Sequence, residues 1–419
     1  MFSEKDIRGL HQYKYSGTDR SLLSTKVLNP YWWTNLVKIF PLWVAPNLIT
    51  LIGLMFTVVC LGMQLSYAPD LGPVPAWYYY CYALGLFLYQ SFDAIDGKQA
   101  RRTGTSGPLG ELFDHGCDAL NTALLVILTA GAMGIGQSYL TLFSLIVSLS
   151  NFYMSTWEEY HTDTLFLGAI SGPVEGIIML CGMFIATGYF GGPHVWATPL
   201  GHVVPATLHR FVPPALAALP LRSILVVTGA LTCIMSIYGS IANVYAACST
   251  ASSRPEAADA DPYTRAKTTF SRALGRIYPF GMLVSGAVLW VAASPSLPTQ
   301  RFVLLALILG FLFSLQVGRM IVSHVTHRPF PLWHGGVYPA RLAAIVPRLP
   351  GFFGNMLTRW LQQSPRLFLD GLIMSVLLVV AGLFYARFAR AVILDMCRIF
   401  DMNCLTIKYY GREKPKKTQ

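Results

Sequence analysis

The chain has 419 residues, of which 54% are hydrophobic and only 12% charged, and it carries a formal net charge of +11. A soluble domain holds about 25% charged residues, and here the apolar excess falls in long runs, which excludes a soluble globular protein and marks a membrane one. The basic residues lie beside those runs, so they set topology and meet anionic lipid headgroups rather than nucleic acid.

The start, MFSEKDIRGLHQYKYSG, is polar and has no apolar core of the kind a cleavable signal needs. Residues 20–40 mix Leu, Val, Trp and Phe with Lys and Arg at a spacing that predicts an amphipathic helix on the bilayer surface. A solvent-exposed arm is the alternative, because Pro30 interrupts the pattern. Eight strong apolar spans follow, over 48–68, 76–95, 119–136, 139–157, 174–191, 223–247, 278–294 and 302–323. A weak ninth covers 331–348, where Pro339, Pro347 and the Gly335–Gly336 pair predict a broken or re-entrant segment. A last strong span covers 368–386, for about ten in all.

The predicted architecture is therefore an all-α integral membrane protein of about ten transmembrane helices with an N-terminal interfacial helix. Most Lys and Arg fall in 1–46, 98–117, 158–173, 248–276, 324–330 and 387–419, which the positive-inside rule places in the cytosol together with both termini. The expected organisation is an arm (1–46), a six-helix catalytic core (47–247), a polar linker (248–277), C-terminal helices for dimer contact or lipid access (278–388) and a basic tail (389–419). The eight cysteines form no CxxC pair, which argues against structural zinc and a disulfide framework.

The chemistry concentrates between Asp93 and Asp118, in DAIDGKQARRTGTSGPLGELFDHGCD. Carboxylates at the edge of hydrocarbon are costly and therefore read as functional. Asp93 and Asp96 are three apart and Asp114 and Asp118 four apart, so each pair shares a helix face, and two facing helices would gather all four. Such a cluster of hard oxygen ligands selects Mg²⁺, Mn²⁺ or Ca²⁺ over zinc, and two such ions close together clamp a displacement at phosphorus. Gly97, Ala100 and Gly110 permit close approach of a nucleotide or a helix, while Lys98, Arg101 and Arg102 place positive charge for phosphate oxygens.

The pattern D-x2-D-G-x2-A-R-x8-G-x3-D-x3-D, met by Asp93, Asp96, Gly97, Ala100, Arg101, Gly110, Asp114 and Asp118, is similar to the signature of the CDP-alcohol phosphotransferase family. The runs Trp43 to Leu54, Glu111 to Thr122, Thr156 to Thr162 and Gly172 to Gly176 resemble the eukaryotic choline/ethanolamine phosphotransferase branch, over about residues 10 to 405. Asp163 departs from that branch, which carries glycine there.

The resemblance implies transfer of phosphocholine or phosphoethanolamine from CDP-choline or CDP-ethanolamine to diacylglycerol, with release of CMP. It also implies two Mg²⁺ or Mn²⁺ ions, a homodimer, and an endoplasmic reticulum or Golgi membrane with the active site facing the cytosol. An inositol-using relative and, from another class, an ion-coupled transporter are the competing readings; the transporter predicts a second, inverted copy of the site, and the sequence has none.

For the acceptor proton, Glu111 and His115 are four apart, so Glu111 is expected to orient His115 as general base. The wider family's alternative is Asp118, which metal binding would make a poor base. Asn47 and Thr50, at the start of the first span, are candidates to touch the CDP moiety, with Asn47 alternatively a helix cap. Trp157, Tyr160 and Glu175 are candidate headgroup contacts, with Trp157 alternatively an interfacial anchor. His324 and His327, beside Arg319 and Arg328, read as residues snorkelling to the headgroup level.

Overall fold

A computed structural model of the chain describes residues 2–168, 172–252, 269–332 and 366–409. These residues are predominantly helical. The long helices are α3 (Pro46–Tyr67), α4 (Ala76–Thr103), α5 (Pro108–Ala132), α6 (Tyr139–Thr162), α7 (Pro173–Tyr189), α8 (Leu221–Ser252), α10 (Tyr278–Ala293), α11 (Phe302–Val325) and α12 (Arg366–Phe400), with α1 (Glu4–Gln12), α2 (Thr34–Ile39) and α9 (Phe270–Gly275) shorter. Each strong span read from the sequence falls on one of the long helices. From residue 333 on, the weak span over 331–348 lies outside the described residues, as do 253–268 of the linker and 410–419 of the tail.

Five helical stretches among the described residues are long and apolar enough to cross a membrane: Pro46–Tyr67, Leu221–Thr250, Phe270–Ala293, Phe302–Val325 and Gly371–Phe400. Helices α4, α5 and α6 run to 28, 25 and 24 residues, lengths that would cross a bilayer, but they carry the polar residues of the site.

Helix ends follow the local chemistry. Pro46, Pro108 and Pro173 open α3, α5 and α7, where a missing N–H costs nothing. Ser138 caps α6 by accepting from the Thr141 N–H. Gly104 closes α4 at φ 65°, and this allows the sharp turn that sends α5 back beside α4.

Helix α3 packs against α4 and α5, α4 against α7, α6 against α8, and α5 against α11. Helix α11 is the central post, buried along most of its length from Phe302 to Val325. A Cβ on Gly310 would sit 2.8 Å from Ala123 Cβ, so the glycine lets α11 close on α5. Helices α8 and α12 instead turn large apolar side chains outward, among them Met235, Tyr238, Val379 and Leu383. That is the pattern of helices at the rim of a membrane bundle.

The N-terminal segment is more ordered than its polarity suggests. Ser3 and Asp6 form a capping box on α1. Within 20–40 the chain winds with wide π-type turns over Ser24–Trp33 and continues into α2. Pro30 lies inside the wide turns, which accommodate a residue that cannot donate an i→i−4 hydrogen bond. The all-α expectation needs one amendment, since Gly17–Asp19 pairs in parallel with Leu165–Leu167.

Two straps cross the ends of the helices. Arg328 Nε donates to Asp6 Oδ1 at 2.6 Å, and a Cβ on Gly9 would meet the Thr326 carbonyl at 2.5 Å, so α1 lies tightly on the end of α11. The hydrogen bonds from Arg328 hold the Asp6 carboxyl well below the usual carboxylate range. After α12 the chain returns, and Thr406 bridges to Val44 just before α3.

Candidate active site

Helix α4 supplies Asp93 and Asp96, and α5 supplies Asp114 and Asp118. Carboxylate oxygens of Asp93, Asp114 and Asp118 lie within 4.8 Å of one another. Asp96 stands beside them and accepts from Thr50 Oγ1 at 2.5 Å, while Asp118 accepts from the Tyr89 hydroxyl. Thr50 and Tyr89 are buried, on α3 and α4. Asp93 Oδ1 and Asp114 Oδ1 are buried and have no hydrogen-bond partner. Buried carboxylate oxygens that converge without donors fit a divalent metal, which is the partner they lack.

His115 follows Asp114 on α5 and is buried. Its Nδ1 lies 3.7 Å from Asp114 Oδ2 and its Nε2 lies 3.5 Å from Glu159 Oε2 on α6. Glu111 is not among its ion-pair partners. The Glu111 carboxylate gathers instead with Glu159 and His324 of α11, their ligand atoms within 4.8 Å of one another. Both Glu111 oxygens are buried without a hydrogen-bond partner. His324 is also 3.6 Å from Asp163 Oδ1. Its buried place beside two carboxylates corrects the snorkelling reading, because the end of α11 is covered by α1 and by Tyr13, whose ring meets that of His324 edge-on.

The remaining sequence candidates divide. Asn47 is buried at the start of α3 and donates to Cys404 Sγ at 3.6 Å; it does not cap the helix, whose cap position is Ala45. Gly110 faces Asn47, with 4.0 Å from a built Cβ to Asn47 Oδ1, and Gly97 leaves 3.7 Å to Arg101 Nη1, so neither glycine is crowded by protein. Ala100 is buried, Arg101 is exposed, and Lys98 lies 3.4 Å from Thr34 Oγ1. Arg102 turns away, donating to the Phe40 carbonyl at 3.2 Å and to Gln99 Oε1 at 2.7 Å. It therefore ties α4 to the end of α2 rather than offering charge to a phosphate.

Each of the three headgroup candidates has a partner within the chain, although Glu175 Oε2 is buried without one. Trp157 is fully buried and donates through Nε1 to the Ala273 carbonyl at 2.9 Å, so it locks α6 to α9 and is not an interfacial anchor. Tyr160 donates to the Arg328 carbonyl at 3.0 Å. Glu175 Oε1 accepts from Ser21 Oγ at 2.6 Å and from the Leu23 N–H at 3.2 Å, which fastens the N-terminal segment.

Sequence reasoning assigned no role to Tyr89, Glu159 or Tyr385. Tyr89 is four residues before Asp93 on the same helix, which is a usable signal of a shared face. Glu159 and Tyr385, whose hydroxyl reaches the Gly116 carbonyl at 3.3 Å, come from other helices, and no local spacing points to them.

Residues 43–204 match the family described as CDP-alcohol phosphatidyltransferase. An uncharacterized CDP-alcohol phosphatidyltransferase class-I family protein of Schizosaccharomyces pombe is 37% identical over 97% of this chain and 97% of its own length. Cholinephosphotransferase 1 of Saccharomyces cerevisiae is 38% identical over 97% of this chain and 98% of its own. Choline/ethanolaminephosphotransferase 1 of the same yeast is 38% identical over 79% of this chain and 80% of its own. With the aspartate cluster carried inside the matched segment and full-length relatives at this identity, the chain belongs to the CDP-alcohol phosphatidyltransferase family.

Proposed function

We propose that this chain transfers phosphocholine or phosphoethanolamine from CDP-choline or CDP-ethanolamine to the hydroxyl of diacylglycerol, releasing CMP. The observation that carries the reading is the convergence of Asp93, Asp114 and Asp118, with Asp96 held beside them by Thr50 and with two orphaned buried oxygens, in a chain whose long relatives bear choline and ethanolamine phosphotransferase names.

Asp93, Asp96, Asp114 and Asp118 would hold Mg²⁺ or Mn²⁺, two ions in our reading. Bound there, the ions would offset the charge of the diphosphate and of the departing CMP. Thr50 and Tyr89 orient Asp96 and Asp118 through their hydroxyls. Asn47, Gly97, Ala100 and Gly110 form the nucleotide side of the site, with Lys98 and Arg101 at its exposed rim. His115 takes the diacylglycerol proton as the new oxygen–phosphorus bond forms and the bond to CMP breaks. Glu159 faces its Nε2 and Asp114 its Nδ1, which fixes the ring between the aspartates and the second acidic group. Glu111 acts from the same wall.

In this reading residues 47–247 are the catalytic core and the C-terminal helices serve lipid access or dimer contact. The chain crosses an endoplasmic reticulum or Golgi membrane about ten times, with the helix at 24–39 on the bilayer surface and the site and both termini in the cytosol. The test is donor competition on the purified full chain with Mg²⁺ and diacylglycerol. CDP-choline or CDP-ethanolamine should each yield phospholipid and CMP and compete with one another. CMP release only from CDP-diacylglycerol with inositol would replace this reading with that of an inositol-using enzyme.

A further inference from the structure

Glu111 and Glu159 are 7% and 3% exposed, and a carboxylate oxygen of each lies within 4.8 Å of the other and of a His324 ring nitrogen. Among the described residues no Lys or Arg lies within ion-pair distance of either carboxylate. Neither Glu111 oxygen accepts a hydrogen bond, although both are buried. Apart from the imidazoles of His115, 3.5 Å from Glu159, and of His324, no cationic side chain offsets the pair among the described residues, so burying two carboxylates this close is costly and a mobile cation or a proton relieves it. The pair also stands at a defined place. The His115 ring touches Asp114 on one side and Glu159 on the other, so the acids begin one imidazole away from the aspartates. Two aromatic rings border the same spot, with Tyr13 and Tyr160 centred 6.0 Å and 6.3 Å from His324.

We propose that the buried acidic pair Glu111–Glu159 is the receptor for the cationic headgroup of the CDP-alcohol. This deepens the proposed function and rests on it. The nitrogen of choline or ethanolamine is two methylenes from the phosphate ester oxygen, so a donor whose phosphates lie at the aspartates carries its cation toward the neighbouring wall. Buried carboxylates attract that charge strongly, and aromatic faces favour an ammonium over water. This takes the headgroup role from Trp157, Tyr160 and Glu175 as direct contacts, and leaves Tyr160 as part of the wall.

The test uses the purified full chain with saturating diacylglycerol and Mg²⁺. It compares CDP-choline with CDP-3,3-dimethylbutanol, in which carbon replaces the quaternary nitrogen at equal size and no charge. The wild type should prefer CDP-choline in kcat/KM, and Glu159→Gln should shrink that preference at least about tenfold, through KM for CDP-choline, with KM for the neutral donor unchanged. Glu111→Gln should act in the same direction, and serves if Glu159→Gln does not fold. Equal losses on both donors would overturn the proposal, because the acids would then only position His115 or support the fold. Restoration of both donors by more Mg²⁺ would overturn it too, by making the pair a metal site. A wild type that turns over both donors with equal efficiency sinks the headgroup proposal alone, whereas no phospholipid from any CDP-amino-alcohol sinks the proposed reaction.

Discussion

Two acidic groups sit on either side of His115, and they are built differently. The aspartate group receives hydroxyl donors, Thr50 to Asp96 and Tyr89 to Asp118, which hold its oxygens in place from behind. The glutamate group has a histidine at each side and no donor on Glu111. A carboxylate backed by a hydroxyl is a rigid ligand, suited to an ion with strict geometry. An acidic pair without such support is suited to a diffuse charge that needs attraction more than direction. On the proposed reading, the hard divalent ion belongs to the first group and the organic cation to the second, with the reacting phosphorus between them.

The largest effect should come from the aspartates. Asp93→Asn or Asp114→Asn should lower CMP release by about a thousandfold or more, and chelation of the wild type should do the same reversibly, with recovery on adding Mg²⁺ or Mn²⁺. Substantial activity in either variant would remove the distinction between the groups. Next, His115→Ala should cost about 10²–10⁴ in turnover while CDP-choline binding, measured by calorimetry, stays intact. Turnover near the wild-type rate would move the base elsewhere, Asp118 being the family's alternative.

The hydroxyl supports should matter less. Thr50→Val and Tyr89→Phe should each raise the Mg²⁺ concentration for half-maximal rate by about 10–100-fold, without changing the CDP-choline preference over its neutral isostere. A shift in that preference instead would mean the two groups are not separate. Smaller again, Gly310→Val should push α11 from α5 and lower stability by about 1–3 kcal/mol, read by thermal unfolding in detergent. Because His324 rides on α11, the glutamate group should loosen before the aspartate one.

The smallest effect concerns the strap over His324. The Asp6 carboxyl is held below its ordinary value by Arg328, so its contribution to docking the arm is fully present above the unfolded value near about pH 4 and is lost as pH falls below it. Hydrogen-exchange protection of residues 3–12, taken relative to the intrinsic rate at each pH, should therefore be unchanged from pH 7 to 5 and lower in more acid solution, while Asp6→Asn should show the lower protection at pH 7. Protection indifferent to both would mean the arm is held by Gly9 packing on Thr326 alone.

The aspartate group was legible because its four residues lie on two consecutive helices, so spacings of three and four residues already set the shared faces. The apolar runs likewise located the long helices, since burial in lipid leaves a compositional trace. The glutamate group was not legible, because residues 111, 159 and 324 meet only when α5, α6 and α11 pack. Spacing suggested that Glu111 would serve His115, but the helix presents Glu111 to α6 and α11 and leaves Glu159 to meet the ring. Trp157 and Glu175 fit a choline site by residue type, and spacing does not show that partners far away in sequence, Ala273 and Ser21, also hold them. The ordered N-terminus went unseen because its contacts, Asp6 with Arg328 and Gly17–Asp19 with Leu165–Leu167, also join distant parts of the chain.

The most direct test of the central claim is product stoichiometry on the purified full chain, with CDP-choline or CDP-ethanolamine, diacylglycerol and Mg²⁺. The account predicts one phosphatidylcholine or phosphatidylethanolamine per CMP, with both products lost together in Asp93→Asn. CMP released without matching phospholipid, or phospholipid still formed by Asp93→Asn, would contradict it.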